Sequence, residues 1–184
     1  MKQHSAPEVV ATSRLLLRKA RDDDAAFIVE LLNDPSWIRF IGDRGIRTDE
    51  TARDYISNVL VAMYEREGVG LYVVELNDER ECIGLCGLLK RRTMADVDIG
   101  FAFLPRFRRH GYAYESAQAW LKIGIDTLRL ERIVAIVDPA NHASAALLEK
   151  LGLRFERLIT LPGADAELRL FAIQSGAQGS AALP

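Results

Sequence analysis

Apolar residues recur along this chain with two periods, one helical and one of alternating or continuous strand type. Phe27, Ile28, Leu31 and Leu32 fall at helical spacing behind Asp22-Asp23-Asp24, whose carboxylates suit an N-cap and a first turn, and Asn33-Asp34-Pro35 ends that run. A second stripe, Ala52, Tyr55, Ile56, Val59, Leu60 and Met63, covers three helical turns and stops near Gly68. Leu71–Leu76, Cys82–Leu89 and Val97–Phe103 then read as successive strands, separated by turns at Asn77-Asp78 and Thr93–Ala95. Helical spacing returns over Tyr112–Leu128, with Ala113, Ala117, Leu121, Ile125 and Leu128 on its buried side. Arg132–Val137 is a short apolar run suited to a strand covered on both faces. A last helix is expected from His142 to Lys150, closed by Gly152. Ser13–Arg18 opens the series as a strand, and Glu156–Leu161 and Glu167–Ile173 close it through a Pro162-Gly163 turn.

This order predicts an α/β (α+β) chain with a mixed central β-sheet of about seven strands flanked by four helices, on both faces. With 184 residues and no internal linker, one domain is expected over Thr12–Ile173, followed by a flexible tail from Gln174 to Pro184. A net charge of −2 argues against nucleic acid as a partner. Two cysteines, Cys82 and Cys86, are too few for a disulfide framework or a zinc cage; their even spacing places them on one strand face as small core residues. No metal-ligand spacing occurs. No apolar run approaches the ~20 residues of a membrane helix, and Met1–Ala11 lacks the apolar stretch of a signal peptide. A cytoplasmic protein without a membrane partner, monomer or homodimer, is the expectation.

The segment richest in chemistry runs from Val97 to Ala113. A strand leads into a loop carrying Arg106, Arg108, Arg109 and His110, and the small pair Gly111 and Ala113 then opens a helix. Free N–H groups at a helix start, a favourable dipole and little side-chain bulk make an anion cradle, and the basic residues add charge around it. A solvated basic loop has the same composition. No Gly-x-x-x-x-Gly-Lys-Ser/Thr and no Gly-x-Gly-x-x-Gly occurs, which excludes a P-loop and a dinucleotide fingerprint. Asn141 and Ser144, three apart at the start of the last helix, let one cap it while the other points from its first turn. His110 and His142 have no matching nucleophile and acid, so a Ser-His-Asp mechanism is not supported.

Arg108-x-x-Gly111-x-Ala113 resembles the acyl-coenzyme-A loop of the GNAT N-acetyltransferases, and Asn141-x-x-Ser144 to Lys150-Leu151-Gly152 resembles their last-helix motif. Thr12-x-Arg14-Leu15-x-Leu17-Arg18, Asp98-Ile99-Gly100-Phe101 and Gly111-Tyr112-Ala113-x-Glu115 are similar to the RimJ/RimL type, which acts on ribosomal proteins. Three positions depart from the family pattern. Ala113 replaces the second loop glycine, Leu148 stands where many relatives carry a tyrosine general acid, and Asp98 replaces a frequent glutamate.

The resemblance implies a GNAT fold and transfer of an acetyl group from acetyl-CoA to a primary amine, by direct attack in a ternary complex. The acceptor would be a protein N-terminus or a small-molecule amine. It implies that the amides from Arg108 through Arg109, His110, Gly111 and Tyr112 to Ala113 hold the pyrophosphate. The pantetheine arm would pair with Phe101, Ala102 and Phe103 at a bulge that splays this strand from its neighbour. Asn141 would hold the same arm, and Ser144 would protonate the departing thiolate. Asp98 shares a strand face with Asp96, Gly100 and Ala102, a position that suits a water-relayed base and a solvated surface carboxylate alike. Acidic residues at Asp34, Asp43, Asp49, Glu50, Asp165 and Glu167 would favour a cationic acceptor, with Trp37 and Phe40 available to line its pocket. The alternative is an acyl-CoA-binding module of the same fold that has lost turnover.

Overall fold

The computed structural model describes residues 5–163 and 165–176. Most of the expected tail therefore lies outside the described residues. Eight strands form one sheet: β1 (Val9–Ala11), β2 (Leu15–Arg18), β3 (Leu71–Leu76), β4 (Cys82–Leu89), β5 (Val97–Phe103), β6 (Arg132–Val137), β7 (Arg154–Thr160) and β8 (Glu167–Gln174). Their spatial order is β1-β2-β3-β4-β5-β6-β8-β7, antiparallel throughout except for the parallel pair β5–β6. The helices are α1 (Ala25–Leu32), α2 (Pro35–Phe40), α3 (Asp49–Tyr55), α4 (Ala62–Glu67), α5 (Tyr112–Lys122) and α6 (His142–Lys150). A π-helical stretch, Ile56–Val61, joins α3 to α4 as one continuous rod that ends at Gly68 with φ 70°. Among the described residues no helix is long and apolar enough to cross a membrane.

Two elements go beyond the sequence pattern. β1 is three residues long and exists because Val10 lies opposite Leu17 of β2; a run so short carries no period of its own. α2 begins at the residues that end α1. Asp34 accepts hydrogen bonds from the amides of Ser36 (3.1 Å) and Trp37 (3.3 Å), and Pro35 occupies the first turn. The same Asp-Pro that stops one helix therefore caps the next.

Register assigns the two faces of the sheet. Tyr72 of β3 lies opposite Cys86 and meets Trp120 of α5 edge-on, with ring centroids 4.6 Å apart, so that face packs on α5. Trp120 is fully buried. Cys82 lies on the opposite face. Val74 faces Gly84 but Glu75 faces Cys82, so Ile83 is an extra residue in β4 and reverses the alternation. The two cysteines thus point to opposite sides, correcting the shared face inferred from their spacing. Cys86 is buried beside Ser116 of α5, and burial pushes its thiol up to about 12. Cys82 sits beside Arg18 and Asp24, and burial pushes it to about 12 as well.

A buried ion cluster ties the second face together. Arg18 ends β2 and reaches Asp24 through two bonds (2.8 and 2.7 Å) and Glu75 through its Nε (2.6 Å). All three are more than nine-tenths buried. Asp24 also accepts from the amide of Arg21 at 2.7 Å, which starts the turn leading into α1. Hydrogen bonds donated to both carboxylates outweigh desolvation and keep the guanidinium firmly charged. Arg18→Ala strands two buried carboxylates and is expected to cost about 3–5 kcal/mol in urea unfolding. Stranded carboxyls bind protons more readily in the folded state than in the unfolded one. The deficit should therefore be largest near pH 8 and shrink as the pH falls toward the ordinary carboxylate range. A deficit that stays constant between pH 8 and pH 5 contradicts this account.

Candidate functional site: a forked sheet and two helix starts

β5 and β6 pair at only two positions, Val97 with Ile133 and Asp98 with Val134. Beyond these the ladder between them stops, although β5 continues to Phe103 and β6 to Val137. β5 remains in unbroken register with β4 from Asp98–Leu89 to Phe103–Gly84, and β6 remains paired with β8. The sheet therefore forks. The splay expected beside Phe101, Ala102 and Phe103 is present, but no bulge lies in β5; the irregularity sits in β4 at Ile83, against β3. Because β5 and β6 are parallel, α5 and α6 start at the same edge, where the fork is open. Helix starts, fork edges and their unpaired backbone groups thus converge.

The start of α5 is shaped by glycine. Gly111 takes φ 83° at the N-cap, a region that disfavours other residues. A Cβ there would also come within 3.3 Å of Arg14 Nη2. A serine or aspartate cap would occupy the first amides from within; Gly111 leaves them open. Arg109 is also left-handed, with φ 67°, so the loop coils before the helix begins. The Arg108 amide is already bonded to Pro105 O at 3.2 Å, and the Glu115 amide to Gly111 O at 3.0 Å. The remaining amides, from Arg109 to Ala113, have no backbone acceptor among the described residues. Such a row, at the positive end of a helix dipole, suits an anion.

Glu115 fastens that helix start to the beginning of the sheet. Its Oε1 accepts from Thr12 Oγ1 (2.6 Å), Ser13 Oγ (3.0 Å) and the Arg14 amide (2.9 Å), and its Oε2 accepts from Arg14 Nε (2.7 Å). Burial alone would raise this carboxyl, but these four donors hold it below its usual range. Arg14 Nη1 continues to His110 O at 3.0 Å, and its guanidinium lies 4.7 Å over the Tyr112 ring. His110 stacks on Tyr112 with centroids 5.8 Å apart and bonds Arg108 O through Nδ1 at 2.8 Å. Arg14 was not among the expected site residues. Its motif and that of Glu115 were both visible in sequence, about a hundred residues apart, with nothing local to join them.

The loop arginines are not gathered around the amides. Arg106 pairs with Glu30 of α1 and with Glu81 (3.2 Å). Arg108 donates from Nε to Phe103 O (2.8 Å) and from Nη2 to Asp34 Oδ1 (2.6 Å). Among the described residues only Arg109 of the three has no acidic partner. Two acids of the expected lip are also engaged elsewhere: Asp34 caps α2 and holds Arg108, and Asp43 pairs with Arg47 at 2.6 Å, while Asp165 and Glu167 lie exposed at the start of β8. Asp49 and Glu50 lie in the first turn of α3, where they complement its dipole. Trp37 is buried and Phe40 partly so.

At the second helix start, Asn141 Oδ1 accepts from the Ser144 amide at 3.1 Å, so Asn141 is the N-cap of α6. Ser144 is partly exposed on the first turn, and its hydroxyl has no hydrogen-bond partner among the described residues. Leu148, where the family often has tyrosine, is fully buried in the core. Asp98 lies at the base of the fork, 1% exposed, which removes its reading as a surface carboxylate. Its Oδ2 accepts from Arg91 Nε at 3.0 Å, while Oδ1 is buried without a partner. Burial raises this carboxyl above its ordinary value, against the opposing pull of Arg91.

These residues fit a coenzyme A ester. The amide row suits a pyrophosphate, the splayed edge of β5 has backbone groups for an amide-bearing arm, and the glycine leaves room for close approach.

Comparison with known proteins agrees with this geometry. Residues 14–154 match the acetyltransferase (GNAT) domain family. The uncharacterized N-acetyltransferase YnaD of Bacillus subtilis is 30% identical over 147 residues, covering 80% of this chain and 83% of that protein. A GNAT-family acetyltransferase of Bacillus anthracis superposes with a TM-score of 0.76 at 28% identity, covering 91% and 99% of the two chains. RimL, a ribosomal L7/L12 alpha-N-protein acetyltransferase solved with coenzyme A, shares the fold with a TM-score of 0.77 at 17% identity, covering 91% and 98%. The chain belongs to the GNAT acetyltransferase family.

Proposed function

We propose that this acetyltransferase transfers the acetyl group of acetyl-CoA to a primary amine, either a protein N-terminal α-amine or the amine of a small molecule. The observation that carries the reading is the fork: β5 and β6 part where α5 and α6 both begin. Bound acetyl-CoA supplies an activated thioester, and the chain's own residues do the rest. Amides from Arg109 to Ala113 hold the pyrophosphate, and the free edge at Phe101–Phe103 pairs with the pantetheine arm. Asn141 borders that arm. A backbone N–H on the same edge faces the carbonyl oxygen, where negative charge develops during attack.

Asp98 is assigned as the base that takes the amine's proton, directly or through water. Its raised carboxyl sits closer to neutral pH than an ordinary aspartate, which suits proton transfer. An α-amine, near pKa ~8, gives up its proton more readily than a lysine near ~10.4, so an N-terminus needs less help from one carboxylate. The motifs at Thr12–Arg18, Asp98–Phe101 and Gly111–Glu115 support a RimJ/RimL-type acceptor. Ser144, with its uncommitted hydroxyl on the first turn of α6, is assigned as the donor of a proton to the leaving thiolate.

Thiol release from acetyl-CoA, followed over a panel of N-terminal peptides and small amines, tests the assignment. Turnover should require an amine, and silence across the whole panel in a protein that binds coenzyme A would leave the non-catalytic binding module as the better reading. Asp98→Asn should lower turnover by roughly 10²-fold or more. Because the base must be ionised, wild-type rate should rise with pH through an acid limb above the ordinary aspartate range, and Asn should abolish that limb. Ser144→Ala should lower kcat on the order of a hundredfold while coenzyme A binding, measured by calorimetry, holds. Gly111→Val forces a β-branched residue into positive φ and should abolish measurable coenzyme A binding.

A further inference from the structure

Arg108 stands at the first position of the cofactor-loop motif, yet its side chain leaves the amide row and crosses to the helices on the acceptor side. We propose that Arg108 is a positioning residue that holds α2 at the open end of the fork, in register with the amide row, and is not a phosphate ligand. The proposal rests on the reading of the fork as an acetyl-CoA site.

The guanidinium spans two elements. Nε donates to Phe103 O, the last carbonyl of β5, at 2.8 Å, closing a ring over residues 103–108. Nη2 donates to Asp34 Oδ1 at 2.6 Å. The same Asp34 oxygen accepts from the amides of Ser36 and Trp37 and from the Ser36 hydroxyl, and so caps α2. One carboxylate thus joins the start of α2 to the end of β5 through one planar, two-pronged cation. A lysine head, with a single nitrogen, does not reproduce that span.

α2 depends on such anchors. Six residues are too few to hold a helix by backbone bonds alone. At its two ends backbone bonds run from Ile38 N to Asp34 O (3.0 Å), from Ile41 N to Trp37 O (2.8 Å) and from Gly42 N to Trp37 O (3.1 Å). Two things fix it in place: the buried Trp37 ring and the Asp34–Arg108 bridge. Between them they leave Ile38 of α2 and its C-cap Ile41 exposed.

Charge accounting points the same way. The Asp34 side chain is 6% exposed, and although burial would raise it, the Ser36 hydroxyl and Arg108 hold it below the usual carboxylate range. Drawing Arg108 onto a phosphate would leave that buried carboxylate without its cation, an unfavourable state. Arg109, the adjacent arginine without an acidic partner among the described residues, carries no such cost. The Arg108 backbone meanwhile joins the amide row directly. A cofactor that immobilises residues 109–113 therefore steadies Arg108 and, through it, α2.

Amide hydrogen exchange at Ile38, Ile41 and Gly42, with and without coenzyme A, tests the bridge, with calorimetry reporting coenzyme A affinity separately. In the wild-type protein coenzyme A should slow exchange at these amides on the order of fivefold or more, the low end of site-to-site coupling. Arg108→Gln and Asp34→Ser should bind coenzyme A within about twofold of wild type and lose the slowing. Serine keeps the helix cap, so Asp34→Ser removes the bridge without uncapping α2, and it carries the test if Arg108→Gln does not fold. Three results overturn the proposal: no slowing in the wild type, equal slowing in both variants, or a tenfold loss of coenzyme A affinity in Arg108→Gln that Asp34→Ser does not share. The last would make Arg108 a phosphate ligand. A wild-type protein that gives no binding heat with coenzyme A overturns the acetyl-CoA reading together with this one.

Discussion

The carboxylate of Glu115 carries the constraint on which the site depends. It accepts from two hydroxyls, an amide and a guanidinium, all supplied by Thr12, Ser13 and Arg14 at the lead-in to β2. Such charge-assisted bonds are short and directional, and four of them on one partly buried group leave its helix little freedom. They fix where α5 begins, and Arg14 carries the constraint on to His110 O and the Tyr112 ring. The left-handed turns at Arg109 and Gly111 are held within this frame, so the amide row is set before any ligand arrives. A binding surface made of backbone groups has no side chains with which to adjust, and its affinity rests on being held in place beforehand.

Charge in this protein serves assembly more than attraction. Arg18 neutralises Asp24 and Glu75 inside the fold, Arg106 reaches Glu30 and Glu81, Arg108 takes Asp34, and Arg47 takes Asp43. One ion pair joins the basic loop to the acidic lip, Arg108 with Asp34, while Arg106 turns to Glu30 and Glu81 and Asp43 to Arg47. What the open end of the fork presents is dipolar: unbonded amides at the start of α5 and the edge of β5 that β6 leaves unpaired. The one acidic group at the base of the fork that is left half-satisfied is Asp98, with one oxygen on Arg91 and the other buried alone. Buried polar atoms are rarely left unbonded.

Legibility in sequence followed the range of the interaction. β3, β4, β5, β6 and α6 occupy the segments their periodicity marks, because alternation and capping are local properties. The amide row was readable from Gly111 and the absence of a capping side chain. β1 was not, since three residues acquire strand geometry only by pairing with β2. Nor was α2, whose cap is the same Asp34-Pro35 that reads as a stop. Even spacing put Cys82 and Cys86 on one face until an extra residue at Ile83 reversed it, and bulges leave no mark in a hydrophobic pattern. Asp98 looked like a member of a polar face, because alternation reports which side a residue points to and not what covers that side.

By itself, then, the sequence determined the order of elements, the glycine that opens the helix start, and which side chains lie near the fork. Each follows from residue type and short spacing: period, backbone permissiveness and capping. Tertiary structure alone decided the partners of the charges around the fork. Arg108 reached Asp34 across 74 residues, Arg14 reached Glu115 across about a hundred, and burial turned Asp98 from a surface acid into a raised, half-satisfied one. The physical reason is that an ion's energy depends on its distance to a countercharge and on its exclusion from water, and both quantities exist only once the chain has closed.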